Sequence, residues 1–257
     1  MSADLKGGEV TLTIDANGIG TIMFGHPASN SLPGAVLDLL ATTIEQASND
    51  ANCAVIVLKS WGERAFCAGA SFDELMSIEN EAEGLNFFNG FSKVILAMRR
   101  SSKFILCRVQ GKAVGGGVGI VAAADYALAT SFASVKLSEL AIGIGPFVVG
   151  PAVERKMGKS AFTALAIDAA TWYDARWAKE QGLFTEVFNA TESMDEAIDT
   201  LAKRLAASNP EAMAELKSAF WIGTENWEAI LPERAAISGR LVLSDFTRTA
   251  INRFKDK

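Results

Sequence analysis

Between Gly111 and Ala124 the chain reads Gly-Lys-Ala-Val-Gly-Gly-Gly-Val-Gly-Ile-Val-Ala-Ala-Ala, a stretch whose backbone is scarcely covered by side chains. Glycine loses more conformational freedom on folding than any other residue. A run holding Gly111, Gly115, Gly116, Gly117 and Gly119 is therefore unfavourable unless the backbone must come close to something. A phosphate is one candidate, but the run has no GxxxxGK[ST] pattern, and a dinucleotide fingerprint would need an early strand and a later acidic partner. A second small-residue run precedes it, Ala65-Phe-Cys-Ala-Gly-Ala70. Each run leaves backbone N–H groups unobstructed. Two such donors from different loops, one of them at a helix N-terminus, would form an oxyanion hole.

Around these runs β-like and helical patterns alternate, which is the order of an α/β fold. Strands are expected over 10–15, 21–24, 53–59, 104–109 and 126–130. Helices are expected over 34–48 and in the stretch ending near Arg99. Residues 135–144 read as a loop or short extended piece ending at Gly145-Pro146, followed by helical patterns over 147–157, 160–169 and 175–181. From Ser193 the pattern is almost wholly helical, with Pro210 and Pro232 placed as first-turn prolines and Phe220, Trp221, Trp227, Phe246 and Phe254 interspersed. This change of character divides the chain into a core, 1–194, and a helical C-terminal region, 195–257, expected to serve oligomerisation.

Composition narrows the partners. With 49% hydrophobic and 21% charged residues the chain is globular with an apolar lean, and apolar surface of that kind tends to be covered by sister subunits. A formal net charge of -6 gives no electrostatic case for nucleic acid. The opening MSADLKGGEV lacks the basic flank and apolar run of a signal peptide, and no stretch approaches a membrane span, so a cytoplasmic protein is expected. Cys53, Cys67 and Cys107 lie in apolar strand-like settings without metal-type spacing and read as reduced core residues. The sole histidine, His26, precedes Pro27 in a turn and reads as structural or solvent-facing. It leaves no ready metal site and no Ser-His-Asp or Cys-His arrangement.

Taken together, AFCAGASFDEL from residue 65, GKAVGGGVGIVAAADYALA from residue 111 and KLSELAIGIGP from residue 136 resemble, in order and spacing, the crotonase (enoyl-CoA hydratase/isomerase) superfamily. The early HPASNSL, from His26, is similar to that family's P-x-x-N-[AS] entry to its first helix. The resemblance covers residues 9 to 190, and the helical end is similar in character to the family's trimerisation region. It implies a spiral of ββα units forming two sheets surrounded by helices, a homotrimer or homohexamer, an acyl-CoA substrate and no separate cofactor, since coenzyme A is part of the substrate. Carried over by position, it makes the backbone N–H groups of Ala70 and Gly116 the oxyanion-hole donors. Ala68, Gly115 and Phe147 are expected beside them as substrate-binding residues.

The acid/base is more discriminating. Hydratases of this family carry one glutamate three residues after the second oxyanion glycine and another twenty residues further on; here those positions are Gly119 and Glu139. The first is absent, and the second lies in an apolar setting suited to a raised pKa. Moving a proton between C2 and C4 of an enoyl thioester needs a single base, whereas adding water draws on two. The loop Gly145-Pro146-Phe147-Val148-Val149 also resembles the Pro-Phe loop of the family's mitochondrial-type Δ3,Δ2-enoyl-CoA isomerases. Isomerisation with one glutamate is the expected reaction. A hydratase with a substitute for Gly119, or a decarboxylase acting on a CoA or carrier-protein thioester, remains an alternative. Asp73 and Glu74 are candidates for a second acid, though they read as a solvated helix start. Asp125 reads as structural, Trp172 and Tyr173 as packing residues, and Lys103, Lys112, Arg253 and Lys255 as candidates to meet CoA phosphates.

Overall fold

A computed structural model describes residues 7–255, with side chains as far as residue 253. Strands β1 (Glu9–Ile14) and β2 (Ile19–Gly25) form an antiparallel hairpin whose turn is closed by Asp15, which accepts hydrogen bonds from the amides of Asn17 and Ile19. Helix α1 (Gly34–Asn49) follows. One unit then repeats: a strand in a large sheet, a short strand in a small sheet, and a helical segment. The first turn holds β3 (Val55–Ser60), β4 (Ala65–Cys67), α2 (Phe72–Ser77) and α3 (Glu81–Arg100). The second holds β5 (Ile105–Val109), β6 (Lys112–Val114) and α4 (Gly116–Ala123). The third holds β7 (Tyr126–Thr130), β8 (Ser134–Lys136), a 3-10 turn at Leu140–Ile142 and α5 (Gly150–Ile167). Strand β9 (Tyr173–Asp174), helix α6 (Ala175–Glu180) and strand β10 (Glu186–Phe188) complete two sheets, ordered β1-β2-β3-β5-β7-β10 and β4-β6-β8-β9. The expected ββα spiral is the observed architecture.

Alternation along the strands decides which layer each side chain enters. Ile56, Leu58, Ile105, Cys107 and Ala127 face the main core, while Val55, Val57, Leu106 and Leu128 face a second core on the other side of the large sheet. That outer layer is α7 (Thr191–Ala206), which contributes Met194, Ile198 and Ala202. Because β3 and β5 are covered on both faces they read as continuous apolar runs, as parallel strands do. The division drawn at residues 194 and 195 falls inside α7.

Helices α8 (Pro210–Phe220), α9 (Trp227–Leu241) and α10 (Asp245–Lys255) complete the C-terminal segment. Among the described residues no helix is long and apolar enough to cross a membrane. Pro210 opens α8 as expected, but Pro232 lies inside α9 and not in its first turn. Tertiary anchors start that helix earlier: Trp227 stands edge-on to Trp221 with ring centroids 5.7 Å apart, and Glu228 pairs with Arg100. They outweigh the backbone bond the proline removes. Helix α9 lies on α3 so closely that a Cβ on Gly84 would fall 2.5 Å from the carbonyl oxygen of Gly239.

A buried polar node joins this segment to the spiral. Lys217 on α8 donates to Asp125 Oδ2 at 2.9 Å and to the carbonyl of Lys103 at 2.7 Å, while Asp125 also accepts from the Ile105 amide and the Trp221 indole. Lys156 on α5 donates to the carbonyls of Ala124 and Asp125. Both lysines have their pKa lowered, chiefly by burial, with Asp125 opposing the shift. Removing one member of such a pair strands the other in a low-dielectric site. Lys217→Met is expected to destabilise the fold by about 3–5 kcal/mol in urea denaturation. Arg100→Ala, which breaks only a solvent-exposed pair, should cost less than about 1 kcal/mol.

Candidate active site

Three neighbouring strands of the small sheet run parallel, with Cys67, Ala113 and Val135 in register across β4, β6 and β8. Ala70, Gly116 and Ser138 each lie three residues beyond that line, and Glu139 is the next residue after Ser138. The carboxyl ends of these strands therefore deliver the expected site residues to one place, where ligands characteristically bind in parallel sheets. Ala68, Ala70, Gly115, Gly116, Glu139 and Phe147 all line a single cavity.

The approach of the two loops depends on small residues. Gly115 has φ 51° and ψ -116°, a conformation closed to residues with a Cβ, and it turns the chain from β6 into α4. A Cβ at Gly117 would lie 2.7 Å from that of Cys67, so the start of α4 sits directly on the end of β4. From the other side, the HPASNSL segment holds the first loop. Asn30 donates through Nδ2 to the carbonyls of Trp61 and Ala65, and Leu32 bridges the Ala70 loop by donating to Gly69 O and accepting from the Ser71 amide. His26 belongs to the same turn, its Nδ1 accepting from the Ala28 amide at 3.2 Å, which agrees with a structural reading.

Most amides around the expected oxyanion hole are satisfied, but those of Ala70, Gly116 and the adjacent Gly117 are not. Ala68 N donates to Ser29 O, Ser71 N to Leu32 O, Gly115 N to Lys136 O and Val118 N to Gly115 O. Among the described residues, the amides of Ala70 and Gly116 donate no hydrogen bond. Gly116 is also the first residue of α4, where the helix dipole places partial positive charge. Two convergent free donors, one at a helix N-terminus, can take up negative charge on an oxygen.

Glu139 faces them. A Cβ built on Gly115 would lie 3.0 Å from its Oε1, while Oε2 is sealed from solvent with no hydrogen-bond partner among the described residues. Burial pushes its pKa up to about 7, against a slight lowering from its own backbone amide. The remaining wall is mainly Phe72, Leu75, Phe88, Phe91, Ile142, Ile144 and the 145–149 loop, with the hydroxyls of Ser138 and Ser238, so Glu139 is the one ionisable side chain among the described lining residues.

Asp73 and Glu74 do not line this cavity. Glu74 is half-buried and accepts from the Gly34 amide at 2.9 Å, so it caps α1 instead of standing in solvent at the start of its own helix. Lys103, Lys112 and Arg253 are also away from the cavity, and the side chain of Lys255 lies outside the described residues. Tyr173 packs on Trp177, with centroids 4.2 Å apart. Trp172, expected as packing, remains 41% exposed and carries Lys112 and Lys136 over its ring, because the edge of the small sheet has no further layer to cover it. Sequence reasoning missed Ser238, which α9 brings to the cavity wall; isolated Gly84 and Gly239, which permit that approach, give no local signal of it.

Comparison with known proteins gives the family and the fold. The model of the family described as enoyl-CoA hydratase/isomerase matches residues 15–250. A carnitinyl-CoA dehydratase of Proteus mirabilis is 28% identical over 208 residues, covering 77% of this chain and 75% of that protein. A short-chain-enoyl-CoA hydratase of Clostridium acetobutylicum is 28% identical over 193 residues, 75% of this chain and 73% of that one. The crystal structure of an enoyl-CoA hydratase from Bacillus halodurans superposes with a TM-score of 0.87 over 95% of this chain and 99% of that chain, at 19% identity.

The enclosed carboxylate gives a pH signature in stability. Its folded pKa of about 7 lies above the ordinary glutamate value of 4.5, so between those values the folded state holds a proton that the unfolded state has released. Stability then falls as pH rises through that window, by on the order of 3 kcal/mol, and levels off above it. Glu139→Gln is expected to remove this slope in denaturation series run from pH 4.5 to 8.5.

Proposed function

Because the chain belongs to the enoyl-CoA hydratase/isomerase family of the crotonase superfamily, we propose that it interconverts 3-enoyl-CoA and 2-enoyl-CoA thioesters with Glu139 as the single acid/base. The observation that carries this reading is the lone ionisable group in a largely apolar cavity that is also lined by two residues with free amides.

In this reading the thioester oxygen accepts hydrogen bonds from Ala70 N–H and Gly116 N–H. The Glu139 carboxylate removes a proton from C2 of the 3-enoyl chain, and the released electron pair moves onto the thioester oxygen as a dienolate. The oxygen's pair then returns to the carbonyl, the C1–C2 π pair becomes the C2–C3 double bond, and the C3–C4 π bond breaks as its pair takes the proton from Glu139 onto C4. Atoms and electrons balance without any cofactor, since CoA travels with the substrate. Each amide donor is worth roughly 3 kcal/mol to such an oxyanion. A carboxyl with a pKa near 7 is poised to accept and return the proton at neutral pH.

The hydratase reading draws support from the names of the relatives, and it calls for water as a second reactant. Incubating the protein with a 3-enoyl-CoA and, separately, a 2-enoyl-CoA distinguishes the two. Isomerisation leaves mass unchanged and shifts retention; hydration adds the mass of water. Glu139→Gln should retain acyl-CoA binding while lowering turnover by at least ~10²-fold. The wild-type kcat/KM should rise with pH through an acid limb near 7, where the free base forms. Full activity in Glu139→Gln would favour the decarboxylase alternative, in which the oxyanion hole does most of the work.

Assembly as a trimer or hexamer belongs to the same proposal. Phe220, Ile222 and Phe246 in the C-terminal segment stand 51%, 75% and 67% exposed, which favours burial against sister subunits. A cytoplasmic setting fits three buried free cysteines. Light scattering should give a mass at least three times the 27.3 kDa of one chain; a monomer at micromolar concentration would count against the assembly.

A further inference from the structure

We propose that Val149 decides which reaction this site can perform, by filling, against Gly119, the space that a water molecule and a carboxylate to activate it would need. The proposal deepens the isomerase reading and rests on it. A Cβ built on Gly119 would lie 2.4 Å from Val149 Cγ1 and 2.7 Å from Val149 Cβ, closer than non-bonded carbons come. The surface of Val149 therefore begins where Gly119 ends, and the pair is complementary in size.

Val149 cannot easily withdraw. It is 3% exposed and stands immediately before α5, where its carbonyl accepts from the Val153 amide at 3.0 Å. The next residue, Gly150, donates to the carbonyl of Pro146 at 2.9 Å and presses on Phe162, whose ring would stand 2.9 Å from a Cβ there. The side chain of Val149 lines the same cavity as Glu139, Ala70 and Gly116.

The chemistry gives this contact its meaning. Adding water to a 2-enoyl thioester forms a bond from the water oxygen to C3 and breaks the C2–C3 π bond. Its electron pair moves to the thioester oxygen, the water gives up a proton, and C2 gains one. A water held for that attack needs two or more polar partners. The described side chains lining the cavity offer only Ser138, Glu139 and Ser238; Val149, which lines the cavity and lies against Gly119 behind it, offers none. Glu139 alone can move one proton between carbons of the same chain, which is what the isomerisation requires.

The test compares wild type, Gly119→Glu, Val149→Ala and the double variant by melting temperature and by product from both enoyl-CoA substrates. Gly119→Glu alone should melt at least ~4 °C lower, because the new side chain overpacks against Val149, and should add water no faster than wild type. Adding Val149→Ala should recover at least half of that loss and raise water addition at least tenfold. A single Gly119→Glu variant that keeps its melting temperature, or that hydrates as fast as the double, overturns the proposal. So does a double variant that regains stability without gaining water addition. Gly119→Asp with Val149→Gly frees more volume and carries the same expectations should the first pair not fold; failure of both pairs to fold also overturns it. The 3-enoyl-CoA assay on wild type reads the isomerase proposal separately. If wild type does not isomerise while the melting temperatures couple and the double variant hydrates, the isomerase reading falls and the role of Val149 in excluding water stands.

Discussion

The site exists because the backbone after β6 can come to rest on the end of β4. Gly117 lies where a Cβ would be 2.7 Å from that of Cys67, and a Cβ on Gly69 would be 3.0 Å from the carbonyl of Val114. At these separations the two loops bring Ala70 and Gly116 to the wall of the same cavity. Any side chain on Gly117 would push α4 away from β4, and the two donors would then no longer converge on one oxygen. The conformational freedom surrendered by the glycine run stabilises nothing by itself; close packing against β4 and α3 offsets it. The parallel register of β4, β6 and β8 supplies the third member, since the same carboxyl edge carries Glu139.

The C-terminal helices are tied to this geometry from behind. The node of Asp125, Lys217 and Lys156 fixes α8 and α5 to the chain between α4 and β7, and α9 lies along α3, whose Phe88 and Phe91 form part of the cavity wall. On the remaining side, a Cβ at Gly143 would lie 2.6 Å from the Phe246 ring, so α10 rests against the turn that follows Glu139. A segment expected to serve assembly thus also supports the pocket within its own chain.

Sequence reading succeeds where the determinant is local and fails where two distant segments meet. The two small-residue runs, the entry segment around Asn30 and the setting of Glu139 are short and local; the ββα order is what the family resemblance they carry implies, while the short strands β4, β6 and β8 give no strand pattern of their own. Ser238 reaches the cavity only through the approach of α3 and α9, and nothing near residue 238 announces it. Glu74 reads as the acidic first turn of α2, yet its carboxylate caps α1, forty positions earlier in the chain. Pro232 has the look of a helix start, and the Trp221 and Arg100 contacts that begin α9 sooner are tertiary. The absence of a carboxylate at Gly119 is visible in sequence, but its filling by Val149 is a contact across thirty positions.

The raised pKa of Glu139 and the apolar lining of the cavity have one cause. With no polar partner for Oε2 and a wall of Phe, Ile and Val, the ionised carboxylate is poorly solvated, so the proton is held more tightly than in water. The same wall leaves a water molecule few partners beside the substrate, the side chains of Ser138, Glu139 and Ser238 being the polar ones that line the cavity. A polar residue added to the wall to hold such a water would solvate the carboxylate as well and draw its pKa back toward the ordinary range. Holding water and keeping Glu139 a base that titrates near neutrality therefore oppose each other in a site with one carboxylate. Two carboxylates relieve the conflict, because one can be solvated and hold water while the other stays buried and carries the proton. A chain with Gly119 against Val149 keeps the buried base without a second carboxylate at that position, which is the arrangement the proposed proton transfer within the substrate draws on.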